Sequence, residues 1–194
     1  MEKFFHVFLI GLYGMRRKAF FQGQILFKAP KELTSPQTHY ISCGFAMAKV
    51  KKIQIINGPN LHLQGIREPE IYGTKTFEDL LSRCHERFPD IEILLFQSNY
   101  EGELIEKIHQ TNAEGIPIIL NLAALTHTSY ALADALAAVQ VPVVEVHISN
   151  ILGREEWRAR SLTARYCCGV IIGFGLDGYL LAMEALTGYY NLHL

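Results

Sequence analysis

With 194 residues, 49% of them hydrophobic and 19% charged, the chain is long enough for one domain around one core and has an ordinary globular balance. A formal net charge of −1 leaves no basic surface for nucleic acid and no acidic excess that would keep the chain disordered, so the expected partner is a small molecule or another copy of the chain. Four cysteines, Cys43, Cys84, Cys167 and Cys168, form no CxxC pair, and two adjacent ones are poor arms for a metal site; a reduced cytoplasmic protein without structural metal or cofactor is expected.

Residues 1–46 differ from the rest. An early lysine, an apolar run from Phe4 to Tyr13 and the following arginines faintly resemble a signal segment, but the run is too short to span a membrane and no small-residue cleavage motif follows. Met47 opens MAKVKKIQIINGPN, so the body is expected over 47–194 as a single α/β domain, with 1–46 a poorly ordered extension or an upstream-start artefact.

From Lys51 the chain alternates apolar runs with helical patterns. KKIQIIN (51–57), IEILLFQ (91–97), IPIILN (116–121), VPVVEVHIS (141–149) and CGVIIGF (168–174) read as five strands, several of them nearly continuous in Val, Ile and Leu as strands buried on both faces are. Between and after them, TFEDLLSRCHERF, EGELIEKIHQTNA, SYALADALAAV and LDGYLLAMEALTGYY carry apolar residues at helical spacing. Thr76 with Asp79, and Ser98 or Asn99 ahead of Glu101 and Glu103, mark helix starts. The alternation predicts a flavodoxin-like α/β three-layer sandwich with a five-stranded parallel sheet in the order 2-1-3-4-5. Ligands of such sheets bind beyond the carboxyl ends of the strands where strand order reverses, which singles out 57–72, 121–129 and 147–158.

Those segments hold the versatile side chains. A phenol titrates at about 10, so only about one Tyr72 in a thousand is tyrosinate at neutral pH. A guanidinium about 4 Å away contributes roughly 4 kcal/mol at an effective dielectric of about 20, and lowering the pKa by about two units needs only about 2.7 kcal/mol. Arg67 can therefore make Tyr72 a base if the loop brings them together; otherwise Tyr72 is an aromatic plug and Arg67 a surface charge. In VEVHISN, Glu145 and His147 are two apart in a strand and share a face, a pairing suited to a general acid or to a mutually satisfied buried pair. Asn121 ends a strand, and Thr126, His127, Thr128 and Ser129 precede a helix, where capping alone explains the hydroxyls. REEWRAR sets Arg154 and Arg158 one helical turn apart, as an ion-pair face or an anchor for a polyhydroxylated acid. No GxSxG, P-loop, HExxH or zinc-ligand pattern is present, and GFGLDGY reads as a strand-to-helix turn.

Taken in order, INGPNL, REPxxYG, LN with LTHTS, VEVHISN with REEWR, and GVIIGFGxxGY closely resemble type II 3-dehydroquinate dehydratase from about residue 51 to 187. The resemblance implies a lyase that converts 3-dehydroquinate to 3-dehydroshikimate by anti elimination through an enolate, without metal or covalent imine. It implies Tyr72 as general base, Arg67 as its activator, Asn60 as holder of a water at the enolate oxygen, and His147, set by Glu145, as general acid. Asn121, His127, Ile148, Ser149 and Arg158 match substrate-holding positions, and Arg154 an arginine near a mobile lid. Asp134 matches a residue reaching a neighbouring subunit's site in a homo-oligomer, a dodecamer built from trimers.

Two departures stand out. Where the family has a Pro or Ala and then a Gly after the strand asparagine, this chain has Leu122 and Ala123; a glycine needed there for positive φ would make alanine cost about 1 kcal/mol and disturb Asn121 or His127. His62 and Gln64 alter the underside of the lid. The altered turn leaves a non-catalytic module on the same scaffold as the rival reading, and a flavin or nucleotide protein is disfavoured by the missing phosphate-binding turn after the first strand.

Overall fold

The computed structural model describes residues 50–65 and 75–192, without the side chains of 189–192. The expected extension over 1–46, the start at Met47, and the segment 66–74 with Arg67 and Tyr72 lie outside the described residues.

Five strands, β1 (Lys52–Asn57), β2 (Glu92–Gln97), β3 (Ile118–Asn121), β4 (Val143–His147) and β5 (Gly169–Ile172), form one parallel sheet in the expected order β2-β1-β3-β4-β5. The helices are α1 (Phe77–Arg87), α2 (Glu101–Ala113), the single turn α3 (Leu125–Thr128), α4 (Tyr130–Ala137) and α5 (Asp177–Leu192). Alternation along the strands sorts their side chains into two cores. Ile53, Ile55, Ile119, Val144 and Val146 pack with Phe77 and Leu80 of α1 and with Tyr179 and Met183 of α5. Ile56, Ile118, Leu120 and Val143 pack with Leu104 and Ile108 of α2 and with Leu132 and Leu136 of α4. β1, β3 and β4 are thereby buried almost throughout, while the edge strands β2 and β5 are half-exposed.

Strand ends differ from the sequence expectation for a physical reason. Pro117 and Pro142 have no N–H to give to a ladder, so β3 and β4 begin one residue after them; their carbonyls still accept from Gln54 (3.0 Å) and Ile118 (2.9 Å). The helix caps follow the sequence more closely. Thr76 and Asp79 form a reciprocal capping box, and Ser129 Oγ accepts from the Leu132 N–H at 2.9 Å. α2 departs from this: its N-cap is Tyr100, with no side-chain cap, while Ser98 just ahead accepts from the Tyr100 N–H and donates to Glu103 at 2.5 Å. Gly173 and Gly175, at φ 86° and 59°, turn β5 into α5, the strand-to-helix turn read from GFGLDGY.

β1 has β2 on one side and β3 on the other, and the chain order reverses between β1 and β3. A cleft opens there beyond the carboxyl ends of β1, β3 and β4.

Candidate active site

The cleft encloses about 780 Å³ including its open mouth, and its walls come from the three segments the topology singles out. At the end of β1, the Gly58 N–H donates to the Asn121 carbonyl at 2.7 Å, and a Cβ at Gly58 would lie 2.6 Å from the carbonyl carbon and oxygen of Leu122. Only glycine lets the β1 and β3 loops meet so closely. Asn60, two residues on, adopts a left-handed backbone (φ 67°), which asparagine tolerates better than most residues. Its N–H donates to Asn99 Oδ1 at 2.9 Å, which fixes the backbone that presents Asn60 to the cleft.

Asn121 is buried at the end of β3, with its amide oriented by both neighbours. Its Oδ1 accepts from the Ala123 N–H (3.2 Å) and its Nδ2 donates to Tyr179 Oη (2.9 Å). Tyr179 in turn donates to Asn57 Oδ1 at 2.8 Å. Burial pushes the Tyr179 phenol far above its ordinary pKa, so it remains a neutral donor despite the hydrogen bonds from Asn121 and to Asn57. Ala123 has φ 52°, the left-handed conformation in which a glycine would be unstrained. The turn keeps the Asn121 contact all the same.

At the end of β4, Glu145 is fully buried and His147 nearly so, with His147 Nε2 2.7 Å from Glu145 Oε1. The other carboxylate oxygen accepts from Thr163 Oγ1 at 2.5 Å and from Ser161 Oγ at 3.2 Å. Burial raises the Glu145 pKa, but the hydrogen bonds from His147, Thr163 and Ser161 outweigh it and hold the carboxyl below its ordinary value. An ionised carboxylate only accepts, so the proton between the pair sits on Nε2 and Nδ1 is the ring nitrogen left for other partners. His127, from α3, stacks on His147 with centroids 5.9 Å apart and donates from Nδ1 to the Arg160 carbonyl at 3.0 Å. Burial, helped by the nearby His147 and Arg158 charges, lowers its pKa against that hydrogen bond. His127 is then a neutral imidazole whose Nε2 accepts, a suitable partner for a substrate hydroxyl.

The arginines correct the sequence expectation. Residues 151–159 form two short 3-10 turns, Ile151–Gly153 and Glu156–Ala159, and no α-helical face carries Arg154 and Arg158. They converge through Glu155 instead, whose Oε2 lies 3.4 Å from Arg154 Nε and 2.8 Å from Arg158 Nε. The Arg158 guanidinium also sits 4.0 Å over the ring of Trp157, which meets His127 edge-on at 5.5 Å. Arg154 reaches Ser149 Oγ at 3.4 Å. A short helical turn keeps both cations on the cleft while the neighbouring aromatic fixes the direction of one.

Of the residues expected from the sequence, Asn60, Asn121, His127, His147, Ile148, Ser149, Arg154 and Arg158 line the cleft, with Glu145 buried behind His147. Asp134 lies exposed on α4 and lines no part of this cleft. Arg67 and Tyr72 lie outside the described residues. Ser161, Thr163 and Tyr179 are the polar groups that sequence reasoning missed. Among the described residues no cluster of His, Cys, Asp or Glu is arranged to hold a metal ion.

A family model described as dehydroquinase class II matches residues 51–187. The chain is 49% identical over 140 residues to a 3-dehydroquinate dehydratase of Caldicellulosiruptor bescii, a match spanning 71% of this chain and 97% of the relative. It is 50% identical to a 3-dehydroquinate dehydratase of Halothermothrix orenii, over 71% of this chain and 95% of that one. A solved type II dehydroquinase from Butyrivibrio crossotus superposes with a TM-score of 0.68 at 45% identity, covering 72% of this chain and 99% of that chain.

Proposed function

The chain belongs to the class II dehydroquinase family, and from that premise we propose that it dehydrates 3-dehydroquinate to 3-dehydroshikimate in the shikimate pathway, by anti elimination through an enolate. The observation that carries the reading is the buried Glu145–His147 pair, 2.7 Å apart on the floor of a cleft shared with Asn121, His127, Ser149 and Arg158. Tyr72, activated by Arg67, takes the proton from the carbon next to the ketone, and the electron pair moves onto the ketone oxygen as an enolate. Asn60 holds a water against that oxygen. As the enolate collapses, the hydroxyl on the carboxylate-bearing carbon leaves with the proton of His147, and water departs from a conjugated enone.

Support for the roles of binding residues comes from their charge and donor state. Arg158, with Ser149 and the amide groups beside it, suits the substrate carboxylate, while the unprotonated Nε2 of His127 and the amide of Asn121 suit hydroxyls. The chemistry asks nothing of a metal or other cofactor. The proposal extends to a cytoplasmic homo-oligomer, trimers gathered into a dodecamer, in which Asp134 serves the cleft of a neighbouring copy. Its exposed position outside its own cleft is compatible with that role. Among the described residues no helix is long and apolar enough to cross a membrane.

Ultraviolet absorbance of the enone tests the reading. Purified protein is expected to form product from 3-dehydroquinate, and His147→Gln and Tyr72→Phe are each expected to lower kcat by about 100-fold or more, the scale of a lost acid or base. No product at high enzyme concentration overturns the activity; full turnover in Tyr72→Phe overturns the mechanism. Light scattering at the mass of a single chain would remove the assembly.

A further inference from the structure

Glu145 has two oxygens and two sets of donors. Oε1 faces His147 Nε2, and Oε2 takes hydroxyl hydrogen bonds from Thr163 and Ser161, both brought from beyond the arginine turns. Ser161 has two acceptors for its proton, Glu145 Oε2 and Thr163 Oγ1, each 3.2 Å away, and through either one it supports the carboxylate. Its Oγ already accepts from the backbone N–H groups of Thr163 (3.2 Å) and Ala164 (2.9 Å), which fill its lone pairs and leave the O–H to point outward. Thr163 is fully buried and at 2.5 Å makes the shorter of the two contacts. The backbone turn at Ala164–Tyr166 thus builds a two-hydroxyl donor aimed at the carboxylate.

We infer that Ser161 and Thr163 are positioning residues for the proton donor: they fix the Glu145 carboxylate against His147 and set how readily His147 releases its proton. The inference rests on His147 being the general acid. Hydroxyl donors draw negative charge off the carboxylate, so it stabilises the imidazolium less and His147 releases its Nδ1 proton more readily, while the Nε2–H bond to Oε1 keeps the ring oriented. Without them the carboxylate stabilises the imidazolium more, so Nδ1 holds its proton harder, and the carboxylate turns more freely. The other titratable groups around the pair are His127 from α3, Arg154 and Arg158 from the loop after β4, and Cys167 ahead of β5; burial and then the Glu145 charge push the Cys167 thiol upward, so it remains protonated.

Steady-state kinetics of the full chain with 3-dehydroquinate, measured against pH, test this with an isosteric pair. Thr163→Val is expected to lower kcat about tenfold, the scale of one charge-assisted hydrogen bond, with KM held within about twofold and the alkaline limb of kcat moved to higher pH. Thr163→Ser, which returns the hydroxyl, is expected to restore most of kcat and the position of the limb. An unmoved limb, a loss confined to KM, or no rescue by serine overturns the proposal. If Thr163→Val does not fold, Ser161→Ala removes the longer donor and is expected to move the limb in the same direction by less; an unmoved limb there overturns it equally. His147→Gln separates the two levels of inference. An inactive His147→Gln beside an unaltered Thr163→Val sinks the positioning role alone, whereas full kcat in His147→Gln brings down the acid assignment and this proposal with it.

Discussion

Ala123 holds φ 52°, a backbone that an L side chain enters at a cost of about 1–2 kcal/mol. Glycine would remove that cost but widen the unfolded ensemble, worth about 0.4–1 kcal/mol the other way. Relief of strain is the larger effect, so Ala123→Gly is expected to stabilise the protein by about 0.5–1 kcal/mol, raising Tm by roughly 1–3 °C in thermal unfolding; an unchanged or lower Tm would mean the turn is unstrained. The Ala123 N–H that orients Asn121 is kept in the variant. At this scale the sequence was legible where chemistry is local. Glu145 and His147 are alternate residues of one strand, and a glutamate in an apolar strand needs a partner. The groups that complete the pair were not legible, because Ser161 and Thr163 stand 16 and 18 residues from Glu145, and Tyr179 stands 58 from Asn121 and 122 from Asn57. Only the fold brings them in.

Between elements, the close meeting of the β1 and β3 loops is the most constrained contact in the site. A methyl at Gly58 would need the Leu122 carbonyl, backbone rather than a flexible side chain, to retreat from 2.6 Å. Gly58→Ala is expected to cost about 1–3 kcal/mol, the range for overpacking, and to lower kcat/KM because Asn60 and Asn121 flank the displaced segment. Urea unfolding and the enone assay measure both, and full stability with full activity would show that the loops can part freely. Sheet order and the location of the cleft followed from the spacing of five apolar runs, since short connections and right-handed crossovers leave few topologies. Strand starts and the arginine turns did not. Proline's missing N–H trims β3 and β4, and Gly153 with its neighbours supports 3-10 turns where the i, i+4 spacing of Arg154 and Arg158 had pointed to a helix face.

For the molecule as a whole, a half-buried histidine and a buried glutamate tie stability to pH in the same direction. His127 binds its proton less readily folded than unfolded, so the unfolded chain takes up more protons as pH falls below about 6.5, and the stability present above that value is lost as pH passes through the lowered folded pKa. Glu145, held below its ordinary value, contributes stability above about 4.3 that is lost as pH falls through its folded pKa. The urea midpoint is therefore expected to fall in two stages between pH 7 and pH 3, and His127→Asn to flatten the first; a midpoint constant down to pH 5 in the parent protein would contradict the half-buried neutral imidazole. The same region carries an intrinsic optical reporter. Trp157 is the one tryptophan in the sequence, and it lies between the Arg158 guanidinium and the His127 ring. Excited apart from the tyrosines, it reports on the surroundings of His127 and Arg158, two residues that line the cleft, so ligand entry and His127 protonation can be followed by fluorescence on unlabelled protein.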